Sequence, residues 1–191
     1  MKQWVLRITS YADRLLDDLD YYYQSNNYND EVKEFNLGFK EGYPLIKFNV
    51  ICAIIKHWKE DKYLIIKYTK DNSTGFLTGK IEDGENNVDT LLREIKEETG
   101  FINFKRIIPI CKTKCSLFVN RKSRNAEGFC SSYFVELKDE NQIEISIEEK
   151  NKQAYFFVDE KDVENYLKDE DFKYIFNVHF IFFCKIFISI I

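Results

Sequence analysis

The stretch Gly79–Phe101, GKIEDGENNVDTLLREIKEETGF, decides how this chain is read. Its first half is a loop and its second half a helix. Gly79 and Gly84 bracket a short turn, because glycine accepts the positive φ angles and close backbone approaches that other residues resist. Asn86 or Asn87 offers a side-chain oxygen as helix N-cap, and Asp89 complements the positive end of the helix dipole. The pattern predicts a helix from about Val88 to Thr99, stopped by Gly100 in a left-handed cap. Val88, Leu91, Leu92, Ile95 and Thr99 form one apolar stripe, expected to be buried. Glu94, Glu97 and Glu98 share a different face. Carboxylates this close repel one another, and helix stability does not call for them. A hard cation such as Mg²⁺ turns the repulsion into binding, since it takes oxygen ligands from carboxylates and phosphates together. Arg93, four residues before Glu97, can hold one carboxylate in place, and Glu85 can reach the same acidic edge. The plain alternative is a solvated acidic helix.

The spacing is more specific than that alternative requires. It reads Gly79, five residues, Glu85, seven residues, Arg93-Glu94-Ile95, one residue, Glu97-Glu98, one residue, Gly100-Phe101. These nine positions resemble the signature of the Nudix hydrolases, GX5EX7REUXEEXGU, where U is a bulky apolar residue. The resemblance implies an α/β fold, specifically an α/β/α sandwich with a mixed sheet. It implies hydrolysis of a nucleoside diphosphate linked to another group, with Mg²⁺ or Mn²⁺ as cofactor. Glu97 and Glu98 are then the main metal ligands, and Glu94 a further ligand or the base for the attacking water. The carbonyl of Gly79 completes the metal shell. Arg93 and Glu85 orient the others, with Glu85 also a candidate at the metal. The physics agrees, because carboxylates around a divalent cation both generate the nucleophile and neutralise phosphate charge. A fold hosts more than one function, so a non-catalytic nucleotide-binding or accessory module is the rival reading.

Composition narrows the class. A chain of 191 residues supports one good core and an appended piece. Hydrophobic content of 45% against 31% charged is globular rather than disordered. The net charge of −4 argues against a general nucleic-acid-binding surface, which needs a basic excess. A nucleotide substrate stays compatible, because metal ions supply positive charge. Cys52, Cys111, Cys115, Cys130 and Cys184 are odd in number and lack zinc-site spacing. They read as buried free thiols of a reducing, cytoplasmic setting, with Cys111 and Cys115 on a strand. His57 and His179 are too few for a histidine metal centre. The first residues lack the continuous apolar run of a secretory signal.

Lys2–Asp20, KQWVLRITSYADRLLDDLD, has apolar residues at Trp4, Ile8, Tyr11, Leu15 and Leu19 and predicts an amphipathic helix. The same stretch resembles the segment of leucyl-tRNA synthetases that leads toward their editing insertion. Trp4, Arg7-Ile8-Thr9, Tyr11-Ala12, Arg14-Leu15-Leu16 and Asp18-Leu19-Asp20 carry the likeness, followed by Glu31-Val32-Lys33-Glu34. His57–Leu64, HWKEDKYL, is similar to the opening of a Nudix-like insertion in some bacterial members of that class. The chain has neither the HIGH nor the KMSKS ATP-binding signature, so aminoacylation is not expected. The resemblance implies a piece of a longer gene, with Met1 an internal methionine, or a relic of one. Tyr21–Asn29 and Gly38–Pro44 read as linkers.

Strand signals begin at Phe48. Phe48–Trp58 and Tyr63–Tyr68 predict a hairpin, Phe76-Leu77 a short strand into Gly79, and Ile102–Phe118 a strand broken at Pro109. Arg121–Glu127 reads as a polar loop. Phe129–Leu137 and Ala154–Val158 complete the sheet, followed by a helix from Asp159 or Glu160 to about Lys168 carrying Val163, Tyr166 and Leu167 inward. Domain boundaries fall at 1–40, 45–177 and an apolar tail, 178–191. Glu148 or Glu149, in an acidic loop, is a candidate for one more metal carboxylate; a solvated loop charge is the alternative. Arg121, Lys122 and Arg124 either meet substrate phosphates or form a mixed-charge loop. Phe118, Tyr133 and Phe134 either stack on a base or belong to the core. Phe172–Ile191 is apolar but interrupted by Asn177, His179 and Lys185, which argues against a membrane span; a terminal membrane anchor is the alternative. A helix start at Phe172–Asn177 is expected to belong to the domain. The nucleoside diphosphate derivative and the oligomeric state are not encoded in any motif.

Overall fold

The computed structural model describes residues 32–119 and 122–188, with side chains up to His179. The N-terminal helix over Lys2–Asp20, the linker Tyr21–Asn29, and Arg121 lie outside the described residues.

A mixed eight-stranded sheet forms the middle layer. Its strands are β1 (Lys33–Gly38), β2 (Leu45–Lys56), β3 (Lys62–Tyr68), β4 (Thr74–Gly75), β5 (Leu77–Lys80), β6 (Phe104–Val119), β7 (Arg124–Leu137) and β8 (Gln153–Asp159). The order is β1-β6-β7-β2-β3-β4, with β5 paired to β2 and β8 to β3. β2 runs parallel to β7 along its whole length, from Leu45↔Asn125 to Lys56↔Glu136. β6 and β7 are antiparallel, with a register shift between Pro109 and Cys111. That shift is the expected break at Pro109, since proline donates no ladder hydrogen bond.

The alternation of β2 builds two cores. Ile51, Ala53 and Ile55 face one layer, where Leu64, Ile66 and Leu77 meet Leu91 and Ile95 of α1 (Asn87–Thr99). Cys52 and Ile54 face the other, packing with Ile65, Phe76 and Phe134 against Val163, Leu167, Ile175 and Phe176. A strand buried on both faces must be apolar throughout, which the run VICAII achieves. Helices on both faces of a mixed sheet are the expected sandwich.

Some elements differ from expectation. Lys33–Gly38, read as synthetase-like sequence and linker, is a strand parallel to β6. Glu148 and Glu149 lie not in a loop but in a short helix, α2 (Ile147–Lys152). Ser146 caps it by accepting from Glu149 N at 3.2 Å, and the S-x-x-E spacing is the capping-box signal for that start. Arg124–Glu127, read as loop, is the start of β7. Glu160–Tyr166 is a 3₁₀ helix rather than an α-helix, and it still buries Val163. The last helix, α3 (Glu170–Ile188), continues through the expected tail. His179, read as an interruption of the apolar run, is buried, stacked on Phe134 at 4.5 Å, with Nε2 3.3 Å from the Tyr63 hydroxyl. Among the described residues no helix is long and apolar enough to cross a membrane.

The β2–β7 seam is tightest at Gly128, where an added Cβ would lie 1.7 Å from the Phe48 carbonyl oxygen. Backbone cannot yield as a side chain does. Gly128→Ala is therefore expected to lower unfolding free energy by about 1–3 kcal/mol, read by urea denaturation; an unchanged midpoint would contradict this packing.

Candidate active site

The helix α1 begins as its sequence dictates. Asn86 Oδ1 accepts from Val88 N and Asp89 N, both at 2.9 Å, and Gly100 closes the helix at φ 80°. Leu91, Ile95 and Thr99 are buried as expected, and Thr90 joins them. Val88, in the first turn, departs from the stripe and is exposed, and Leu92 is only half-buried.

Arg93 organises the polar face. Its Nε and Nη2 donate to the two oxygens of Glu85 at 2.8 and 2.9 Å, a bidentate pair. Nη2 also reaches the Lys80 carbonyl at 3.1 Å. Nη1 donates to Glu94 at 2.9 Å and to Glu97 at 3.2 Å. Thr90 donates to Glu85 at 2.8 Å. The guanidinium and this hydroxyl hold the Glu85 carboxyl down at about 2. The Glu85 carboxylate in turn raises the Arg93 guanidinium further above its ordinary value.

Glu94 lies over β5. A Cβ on Gly79 would come within 2.0 Å of Glu94 Cγ, so only glycine lets the carboxylate settle there. Burial raises the Glu94 carboxyl, against the pull of Arg93. Glu98 is buried further, and desolvation pushes its carboxyl up to about 8, with Glu94, Glu149 and Glu97 adding to the shift. The adjacent Gln153 amide offsets only part of this. Glu98 Oε2 is buried with no hydrogen-bond partner.

Glu94, Glu97 and Glu98 line one open cavity of about 690 Å³, together with Glu149 and Lys152 from α2 and Lys122. Glu85 stands on the far side of Arg93 and does not line it. Nor does Glu148, which is 77% exposed and paired with Lys152 at 2.8 Å. Glu149, 24% exposed and held by the same lysine at 2.8 Å, is the α2 carboxylate turned toward the cavity. Arg124 lies at the start of β7, and Tyr133 and Phe134 are buried in the two cores. Phe118 packs on Tyr43 at 4.8 Å, away from this cavity.

Among the described residues no three potential ligands converge on a formed metal position. The donor set nonetheless fits a hard divalent cation: its donors are carboxylate oxygens, and the orphaned Glu98 Oε2 lacks what such an ion supplies. Glu97, Glu98, Glu94 and Glu149 would hold it. The spread among them follows from Arg93, which occupies one oxygen of Glu94 and one of Glu97.

A family model described as the NUDIX domain matches residues 48–178, more than half of the chain. The chain belongs to the NUDIX family. Among similar solved structures is an E. coli dihydroneopterin triphosphate pyrophosphohydrolase, with TM-score 0.56 and 19% identity over 67% of this chain and 91% of that one. The NUDIX domain of Shewanella oneidensis NrtR, complexed with ADP ribose, has TM-score 0.55 and 15% identity, covering 70% and 86%. A C. elegans Ap4A hydrolase has TM-score 0.53 and 12% identity, covering 72% and 98%. At these identities the likeness is one of fold. No curated protein matches the chain. NUDIX membership supports a hydrolase of pyrophosphate bonds, and hydrolases of this family generally use divalent metals.

Glu85, with its carboxyl lowered, and Glu98, with its carboxyl raised, have opposite linkage to pH. Glu98 has a folded value near 8 against 4.5 unfolded, so its neutral form favours the fold. That stabilisation is complete below about pH 4.5 and is lost as pH rises through about 8. In metal-free buffer the native chain is expected to lose Tm across this window relative to Glu98→Gln, which stays neutral. Parallel Tm curves for the two proteins would refute the burial of Glu98.

Proposed function

We propose that this NUDIX chain is a pyrophosphohydrolase that cleaves a nucleoside diphosphate derivative with the help of Mg²⁺ or Mn²⁺. The observation that carries this reading is the single cavity lined by Glu94, Glu97, Glu98 and Glu149, with one buried Glu98 oxygen unpartnered. A bound divalent ion would supply charge neutralisation for the phosphates and lower the pKa of water. Glu97 and Glu98 are the principal ligands, with Glu94 as a further ligand or as the base, and Glu149 closes the set from α2. In the hydrolysis, a water oxygen bonds to phosphorus as the bridging P–O bond breaks; the water's proton goes to the carboxylate base, and the leaving phosphate departs as an anion. Glu94 suits the base role because burial raises its affinity for a proton. Arg93 is a positioning residue, fixed by Glu85 and in turn fixing Glu94 and Glu97. Lys122 and Lys152 at the cavity wall favour an anionic substrate. Four buried free thiols fit a reducing, cytoplasmic setting.

The second reading, an accessory module linked to a leucyl-tRNA synthetase, draws on the likeness at Trp4–Asp20. Phosphate release from a panel of nucleoside diphosphate derivatives separates the two. Turnover is expected with Mg²⁺ or Mn²⁺, to vanish with EDTA, and to fall at least about a hundredfold in Glu97→Gln and Glu98→Gln. A folded, metal-binding chain that turns over no member of the panel would leave the accessory reading standing.

A further inference from the structure

The carboxylate cavity holds a second buried polar atom that the packing does not use. Gln153 opens β8 and is 6% exposed, yet its amide nitrogen Nε2 finds no hydrogen-bond partner among the described residues. Position 153 begins the face of β8 that continues with Tyr155 and Phe157, both packed toward the α1 core. Strand alternation therefore calls for an apolar side chain there, and an unpaired buried amide opposes folding. The side chain lines the same cavity as Glu94, Glu97, Glu98 and Glu149. It lies near enough to Glu98 to draw that carboxyl down in part, without its Nε2 meeting hydrogen-bond geometry.

The main chain fixes where this amide can reach. Gln153 N donates to the Glu149 carbonyl at the end of α2, and Gln153 stands opposite Tyr68 in the β3–β8 register. Thr69 N donates to the Lys152 carbonyl at 2.9 Å, which holds the preceding residue. The amide is thus carried on a strand that is tied on both sides.

The two orphaned atoms call for opposite partners. Glu98 Oε2 is an acceptor, and a cation satisfies it. Gln153 Nε2 is a donor with two N–H groups, and it needs an acceptor. Three carboxylates of the cavity are engaged elsewhere: Glu94 and Glu97 with Arg93, Glu149 with Lys152. We propose that Gln153 Nε2 donates to a non-bridging phosphate oxygen of the substrate, beside Glu98, which makes Gln153 a substrate-contacting residue. The inference rests on the pyrophosphohydrolase reading for the presence of a phosphate. A non-bridging phosphate oxygen is negative and accepts without donating, so it suits a buried N–H and a cation at once. A lysine at this position would pair with Glu98 and compete for the oxygen that the cation needs; an uncharged amide leaves it free.

The first test uses the ¹⁵N-labelled native chain with methylenediphosphonate, which keeps the non-bridging oxygens of pyrophosphate on a P–C–P bridge that water does not cleave. The Gln153 side-chain NH₂ resonance is expected to move downfield with Mg²⁺ and methylenediphosphonate together, beyond any effect of Mg²⁺ alone. The second test is Gln153→Met, similar in length and without a donor. It is expected to raise KM by about 10–100-fold for a derivative that the native chain hydrolyses, the worth of a hydrogen bond to a charged group, with Mn²⁺ affinity by calorimetry unchanged. A resonance no different with methylenediphosphonate than with Mg²⁺ alone, an unchanged KM, or a loss of Mn²⁺ affinity in the variant would each overturn the assignment. The last result would make Gln153 a support of the metal carboxylates instead. If Gln153→Met does not fold, the resonance of the native chain decides. Metal-dependent turnover with an unaltered KM in the variant would refute the contact and leave the hydrolase. A methylenediphosphonate-dependent shift with no turnover of any derivative would do the reverse.

Discussion

The bidentate pair between Arg93 and Glu85 is the constraint on which the rest of the site depends. Glu85 belongs to the loop after β5 and Arg93 to the second turn of α1, so one ion pair fixes where the helix starts relative to the sheet. The same guanidinium grips the Lys80 carbonyl, tying the end of β5 to the helix face. Its remaining N–H group fans Glu94 and Glu97 apart. Arginine's planar fork makes this possible, since lysine could satisfy one carboxylate well but not three in fixed directions. Once α1 is pinned, Glu94 has nowhere to lie but across Gly79, and the absence of a Cβ there becomes a requirement of the carboxylate geometry.

The sheet sets the second constraint. β2 is buried on both faces, and its neighbours β5 and β7 inherit the same alternation. Gly79 therefore faces α1 while Thr78 faces the α3 layer. One residue step along β5 switches from the carboxylate helix to the apolar layer under α3.

The Gly79–Phe101 stretch was legible because its signals are local. A cap, a dipole-matched acid, a 3.6-residue period and a C-terminal glycine all act within a few residues of one another, and the stripe of α1 departs from expectation at Val88, which is exposed, and Leu92, which is half-buried. The strands β2, β3, β6 and β8 were legible for the same reason. What escaped was decided elsewhere in the chain. β1 carries the polar, exposed residues of an edge, and only its parallel pairing with β6 makes it a strand. Glu148 and Glu149 look equivalent in sequence; the capping of α2 by Ser146 turns one toward the cavity and leaves the other in solvent. His179 is buried within α3 by Tyr63 and Phe134, partners 116 and about forty-five residues away in sequence, which no local pattern announces.

Glu98 shows why the site cannot be read as a device for stability. A carboxyl pushed to about 8 by burial, with an oxygen left unpartnered, opposes folding at neutral pH. Nothing in the packing of α1 demands it, since Leu91 and Ile95 already carry the apolar contact. A neutral glutamine would fill the same volume without the ionisation penalty. The persistence of an acid at the one point where three other carboxylates raise its cost is intelligible if a cation reverses the sign of every one of those interactions. Repulsion among Glu94, Glu97, Glu98 and Glu149 then becomes shared attraction, and the destabilisation of the free site becomes part of its affinity for what it holds.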